Sequence, residues 1–228
     1  RGAVLLRNLS EMVGAAAFVT AIVLAPLAAV TAILQAMPLA VTLGAALFLG
    51  EPVGWRRWSA ILIGFAGVLL IIRPGSAAFA PASLLAVVAV FALSARDLAT
   101  RRVAVQVHSL QLSGWGFGMI VPAGVLLMLI AGTAPVVPSV ANWGWIVGAL
   151  SAGILAYAAL VSATRLGDIA VTTPFRYSRL IFAMVIGLVI FGEIPDAMTL
   201  SGSALVVGAA AWPMCPAAMA PPWAAPTI

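Results

Sequence analysis

The feature that most constrains this chain is a succession of eight long apolar runs with little between them: residues 8–25, 28–50, 58–72, 77–95, 110–131, 143–164, 169–192 and 197–214. A helix crosses the hydrocarbon layer of a bilayer with about 20 apolar residues, and most of the runs are near that length. The third is short, and Trp55 and Arg57 just ahead of it would serve as interfacial anchors. Composition agrees with this reading. The chain is 64% apolar and 7% charged, whereas a water-soluble domain carries about 25% charged residues. Water could not solvate such a surface, so the pattern predicts an all-α, polytopic transmembrane bundle. Each break carries a turn or charge signal: Pro26, Glu51-Pro52, Arg73-Pro74-Gly75, Arg101-Arg102, Pro135 with Pro138, Arg165 to Asp168, and Pro195-Asp196. The first two runs, parted only by Pro26, are expected to form a helical hairpin.

All eleven basic residues are arginines and the net charge is +5. They sit singly or in pairs between apolar runs, so the basic balance predicts no nucleic-acid partner. Arg1, Arg7, Arg56, Arg57, Arg96, Arg101, Arg102 and Arg165 fall on the side of the N-terminal stub. Only Arg73, with Glu193 and Asp196, falls on the other. By the positive-inside rule the stub side is cytoplasmic. One cysteine (Cys215) and one histidine (His108) exclude a disulfide framework and a Cys/His zinc site, and no cofactor, metal or catalytic set is expected. Opening on Arg1 without a signal peptide, the chain is expected to be a fragment.

Two stretches resemble each other. Leu47-Phe48-Leu49-Gly50-Glu51 ends the second run and Val189-Ile190-Phe191-Gly192-Glu193 ends the seventh. The same offset of 142 residues lays Ala25-Pro26-Leu27-Ala28 on Gly167-Asp168-Ile169-Ala170. Each Gly-Glu leads through a short connection to another glycine-bearing run, with Gly64 and Gly67 in one and Gly202 and Gly208 in the other. The copies are five runs apart, and an odd separation makes them cross the membrane in opposite directions. Inverted repeats mark secondary transporters, with substrate bound near the midplane. The eight runs are then expected to belong to a set of ten. Residues 1–75 hold the last three helices of the first repeat, residues 76–214 hold the second repeat of five, and residues 215–228 form an irregular Pro/Ala-rich tail.

These passages, from Pro26 through Gln35-Ala36-Met37-Pro38 to Gly50-Glu51-Pro52 and from Gly167-Asp168 through Pro174-Phe175-Arg176-Tyr177-Ser178-Arg179 to Gly192-Glu193, resemble the drug/metabolite transporter superfamily in its EamA-like branch. The resemblance runs from about residue 7 to 212. It implies ten helices in two inverted repeats around a central cavity in the bacterial inner membrane, moving metabolites by alternating access. It also implies that runs one, two, four, six and seven help line that cavity. The first two family helices have no counterpart here. The tail beyond Trp212 also departs from the family, with five prolines and no basic residue, which points to a frameshift or truncated reading frame.

For substrate contact the residues singled out are Arg179, Arg176, Tyr177, Gln35, Tyr157, Thr31 and Ser178, with Thr172 and Thr173 as further hydrogen-bonding side chains. Counted from Ile169 at about 1.5 Å per residue, Arg176 and Arg179 lie about 10 and 15 Å into a layer of about 30 Å. An arginine that deep usually faces a cavity or a partner. A pair of guanidinium groups favours an anionic or zwitterionic substrate; a structural ion pair is the competing reading. Gln35 and Tyr177 coincide in the repeat, whereas serine and threonine in bilayer helices often bond their own backbone. Glu11 is expected to pair with Arg7 along a helix surface, with proton coupling as the sharper alternative. Asp97 reads as a loop charge, Glu51 and Glu193 as helix or turn terminators, and Gly114-Trp115-Gly116-Phe117-Gly118 as a close-packing stretch. The expected partners are a small-molecule substrate, the lipid bilayer and a second copy of the chain as a homodimer. A membrane-embedded enzyme would need clustered His, Asp or Cys, and a channel would need a pore-lining polar stripe. Neither is present, so the chain is expected not to be an enzyme.

Overall fold

The computed structural model describes residues 2–77, 79–103, 107–166 and 169–211, and leaves undescribed the side chains of 109, 110, 141, 160, 161, 163–166 and 169–177. Among the described residues it is built from helices alone: α1 (Gly2–Leu24), α2 (Leu27–Leu34), α3 (Met37–Phe48), α4 (Trp55–Ile72), α5 (Ser83–Arg101), α6 (Ser109–Gly118), α7 (Ile120–Ala131), α8 (Val140–Leu166), α9 (Ile169–Phe191) and α10 (Ala197–Ala211).

Two spans are broken in the middle, each four residues ahead of a proline. Pro38 has no N–H to give the Leu34 carbonyl. The chain tightens there, with Gln35 N–H bonding Ala32 O at 3.1 Å and Ala36 N–H bonding Ile33 O at 3.0 Å, before α3 begins. Pro122 stands in the same relation to Gly118, and Met119 separates α6 from α7. With these halves joined the described residues form eight helical rods, as many as the apolar runs. Gly2–Leu24, Leu27–Phe48, Trp55–Ile72, Ser83–Arg101 and Gln111–Ala131 are long and apolar enough to span a membrane, and Ser178–Phe191 and Ala197–Ala211 are shorter apolar helices.

Contacts between helix ends set the directions. Arg102 donates to Phe48 O at 3.0 Å, and Arg101 lies 3.8 Å from Glu51, so α3 and α5 finish together at an arginine-rich end. At the opposite end Arg73, closing α4, pairs with Asp196, which precedes α10. Glu193, just past α9, touches the first residues of α2. The start of α2 therefore meets the end of α9, and the two helices run antiparallel. Leu180 and Met184 of α9 join Val30, Ile33 and Leu34 of α2 in one apolar core, with Val206 of α10 and Val90 of α5.

Helices α4 and α10 cross at two glycines. A Cβ on Gly67 would stand 2.9 Å from the Gly202 carbonyl oxygen, and one on Gly202 would stand 2.8 Å from that of Gly67. In a bilayer, where lipid tails are as apolar as the helices, small residues that let backbones meet hold such pairs together.

Two span boundaries differ from the sequence expectation. The run at 8–25 begins as helix at Gly2, and the run at 77–95 is displaced to Ser83–Arg101. Arg7, Arg96 and Asp97, assigned to loops on account of their charge, thus belong to helices. They can do so because each finds a polar partner inside the bundle.

Candidate functional site

The buried stripe of α1 is Arg7, Glu11, Gly14, Ala17 and Ala21, one residue per turn. The buried face of α5 likewise runs from Ser83 through Ala86, Ala89 and Val90 to Ser94, Arg96 and Ala99. Both faces are apolar toward the far end and charged toward the arginine-rich end, and the charges meet. Arg96 Nη1 donates to both Glu11 oxygens, at 3.1 and 3.3 Å. Its Nε and Nη2 donate to Asp97 Oδ1 at 2.9 and 2.7 Å. From α8 the Tyr157 hydroxyl donates to Glu11 Oε2 at 2.5 Å and accepts from Arg7 Nη2 at 2.8 Å. Arg7 Nη1 reaches Asn8 Oδ1 at 3.1 Å, and its buried Nε has no hydrogen-bond partner among the described residues. Arg7, Glu11 and Arg96 are 1%, 5% and 7% exposed.

A glycine of α6 lies close against the cluster. A Cβ at Gly116 would lie 2.5 Å from the Tyr157 hydroxyl and 2.8 Å from Arg7 Nη2, so a side chain there would push those polar ends aside. Phe117 meets the Tyr157 ring edge-to-face at 6.0 Å. The glycine-rich stretch therefore does permit a close approach, but at Gly116 and against polar groups; nothing lies within 4 Å of a Cβ at Gly114 or Gly118.

Tyr157 is nine residues from the helix end on the arginine-rich side, about 14 Å along the axis at about 1.5 Å per residue, and Glu11 is buried beside it. Two guanidinium groups and two carboxylates balance there, joined through a phenol that both accepts and donates. Ionisable groups at such depth are costly and generally functional.

The other anticipated residues are spread more widely. Gln35 and Thr31 are buried on the α2–α3 span, Gln35 at its break. Thr31 donates to the Leu27 carbonyl of its own helix. Ser178 is half-buried and Arg179 is exposed on the surface of the described residues. The side chains of Arg176, Tyr177, Thr172 and Thr173 lie outside the described residues, as do the structure of Asp168 and the tail from Trp212.

Two expectations are corrected. Glu11 does not form a surface pair with Arg7; it is buried and binds Arg96 from a helix 85 residues away. Asp97 is no loop charge but part of α5, hydrogen-bonded to Arg96. The Arg7, Glu11, Gly14 spacing, one residue per turn and continuing a small-residue stripe, was the signal that these charges face inward.

The ends of the molecule carry a second set of polar contacts. Glu193 accepts from Leu27 N–H at 3.0 Å and Ala28 N–H at 3.2 Å. Asp196 pairs with Arg73 and accepts from Thr199 N–H at 3.0 Å. The Arg73 guanidinium, followed by the Thr199 donors, draws the Asp196 carboxyl down to about 2. A groove of about 490 Å³ opens at the arginine-rich end, lined by Leu43, Gly44, Leu47, Leu98 and Arg102 among others, mostly apolar. Among the described residues no cluster of His, Cys, Asp and Glu could hold a metal ion.

Residues 2–73 and 80–213 match the model of the EamA-like transporter family. An S-adenosylmethionine uptake transporter of Rickettsia bellii is 25% identical over 215 residues, covering 90% of this chain and 69% of its own length. A riboflavin transporter of Rhizobium johnstonii is 31% identical over 210 residues, covering 89% of this chain and 68% of its own. A solved crystal structure superposes with a TM-score of 0.58 at 21% identity, covering 94% of this chain and 88% of that one, a likeness of fold alone. The matched relatives are transporters and not enzymes, and the helices are those of a multi-pass protein of the bacterial inner membrane. Family match and fold together place the chain in the EamA-like transporter family of the drug/metabolite transporter superfamily, secondary transporters of small metabolites.

Proposed function

We propose that this transporter carries an anionic or zwitterionic metabolite, and that the Arg7–Tyr157–Glu11–Arg96 network is where the protein meets its charged group. The observation that carries this reading is the burial of the network inside three spans, with a phenol bridging a carboxylate and a guanidinium. A substrate carboxylate or phosphate offers the acceptor geometry a guanidinium fork matches. Tyr157 can release Arg7 to such a group and still donate to Glu11. Arg176, Arg179, Tyr177, Ser178, Gln35 and Thr31 are proposed as the contribution of α9 and α2 to the same pathway. The antiparallel run of those two helices and the break of the α2–α3 span at Gln35 support that assignment, since broken helices near the midplane are a transporter device.

Residues 1–75 and 76–214 are then two inversely inserted units that rock against one another, with the arginine-rich end in the cytoplasm. S-adenosylmethionine is zwitterionic in its amino-acid portion. With the relatives' names it is one of two first probes, riboflavin being the other. Labelled S-adenosylmethionine and riboflavin should be tested for counterflow in proteoliposomes. Saturable counterflow of S-adenosylmethionine is expected, reduced at least fivefold by Tyr157→Phe with the protein still folded, whereas counterflow of riboflavin alone, which is uncharged, would overturn the charged-substrate reading. Full counterflow in Tyr157→Phe and in the Arg176→Leu, Arg179→Leu double variant would remove both sets of residues from the substrate path.

A further inference from the structure

The two Gly-Glu turns share a glycine φ and a backbone hydrogen bond, and differ in what their carboxylates do. Gly50 and Gly192 both have left-handed φ, +67° and +65°. In both, the following glutamate N–H turns back six residues, Glu51 to Ala45 O at 3.2 Å and Glu193 to Gly187 O at 2.9 Å. This is the glycine-closed helix end in which orphan carbonyls are satisfied, placed twice at the same offset of 142 residues. The side chains then part. Glu193 is half-buried and takes the first two amides of α2, Leu27 and Ala28. That helix starts behind Pro26 with no side-chain cap of its own, so those amides would otherwise be unpaired. Glu51 is 47% exposed and among the described residues pairs with Arg101, at 3.8 Å. The repeat assigns Glu51 an equivalent target, since Ile169 and Ala170 open α9 at the positions that match Leu27 and Ala28.

We infer that Glu193 and Glu51 are two latches of one switch. With Glu193 seated on α2, the end away from the arginines is closed. When that latch opens, Glu51 leaves Arg101 and seats on the first amides of α9, closing the arginine-rich end. The inference rests on the alternating-access reading and adds the groups that hold each state. Its physical basis is that a carboxylate at a helix N-terminus is favoured by unpaired amides and the helix dipole. One latch is made here and its pseudo-symmetric twin is not.

Hydrogen exchange in lipid nanodiscs, followed in peptides covering residues 25–31 and 167–173, reads both latches without any substrate. Glu193→Gln should speed exchange at 25–31 about tenfold and slow it at 167–173, because the population moves to the other state. Glu51→Gln should do the reverse, and the double variant should loosen both. Faster exchange at 25–31 in Glu193→Gln with no slowing at 167–173 would make Glu193 a static cap and overturn the switch. So would Glu51→Gln leaving both peptides unchanged, and this exposed side chain can be changed with no risk to folding from a lost buried contact. Counterflow by the unsubstituted protein, measured alongside, separates the two readings: counterflow without reciprocal exchange sinks the latches alone.

Discussion

Two antiparallel helix pairs, α4 with α10 and α1 with α5, are built on opposite principles. Where α4 meets α10 the backbones touch at Gly67 and Gly202, and Ala60, Ile61, Ala209 and Ala210 around them are buried and apolar. Where α1 meets α5 the seam starts the same way, with a Cβ at Gly14 only 2.7 Å from Leu93 Cδ2. It then turns into Glu11, Arg96 and, through Tyr157, Arg7. A bilayer gives no hydrophobic push to helix association, so shape complementarity holds the first seam. The second seam carries charges that are expensive to place there. The contrast separates a dry joint, which keeps two helices together, from a polar one, which can change partners.

The sharpest way to break this contrast is to remove one partner of the polar seam. Arg96→Leu leaves the Glu11 carboxylate buried against Tyr157 without its cation. A loss of about 3–5 kcal/mol in detergent unfolding is expected, and the Glu11→Leu, Arg96→Leu double variant should recover most of it while remaining inactive in transport. A loss below about 1 kcal/mol for Arg96→Leu would mean that the seam is wet and the distinction false. The dry seam is tested next. Gly202→Ala puts a methyl group against the Gly67 carbonyl and Ile71, a collision that backbone cannot yield to cheaply, and should cost about 1–3 kcal/mol. The same change at Gly118, where a Cβ meets nothing within 4 Å, should cost under about 0.5 kcal/mol.

The smallest effect is expected at the exposed end of α4 and α10. Asp196 is held down to about 2 by Arg73 and the Thr199 donors. A carboxyl whose folded value is depressed stabilises above its ordinary range, near 4, and loses that contribution as pH falls toward 2. Half of the Asp196 side chain is exposed, so screening limits the gain to below about 1 kcal/mol. The melting difference between the unsubstituted protein and Asp196→Asn should be present at pH 6 and shrink between pH 4 and pH 2. A difference that stays constant through that range would show that the pair does not form in solution.

Much of the architecture was legible in the amino acids. Eight crossings follow from apolar runs punctuated by proline and charge, because a bilayer admits only helices whose backbone groups are internally paired. The breaks at Gln35 and Met119 follow from Pro38 and Pro122. The Gly-Glu repeat foretold two matching helix ends, which the backbone reproduces. Of the polar network at α1, α5 and α8, the sequence singles out only Tyr157 for substrate contact. Arg7, Glu11 and Arg96 were assigned to surfaces and loops because charge was taken as a boundary marker, and that rule fails when a charged side chain finds its partner on a helix far away in sequence.

Sequence alone therefore determined the solvent, the helical rods and the opposite sense of the α2 and α9 stretches, since each depends on local hydrophobicity, on proline chemistry or on counting. Only the tertiary structure decided that Glu11 pairs with Arg96, that Gly116 makes room for Arg7 and Tyr157, and that Glu193 caps α2 while Glu51 does not. The hydrogen bonds among these contacts join groups 85 to 166 residues apart. Their energy depends on burial and on distances of a few ångströms, quantities that no local pattern of residues contains.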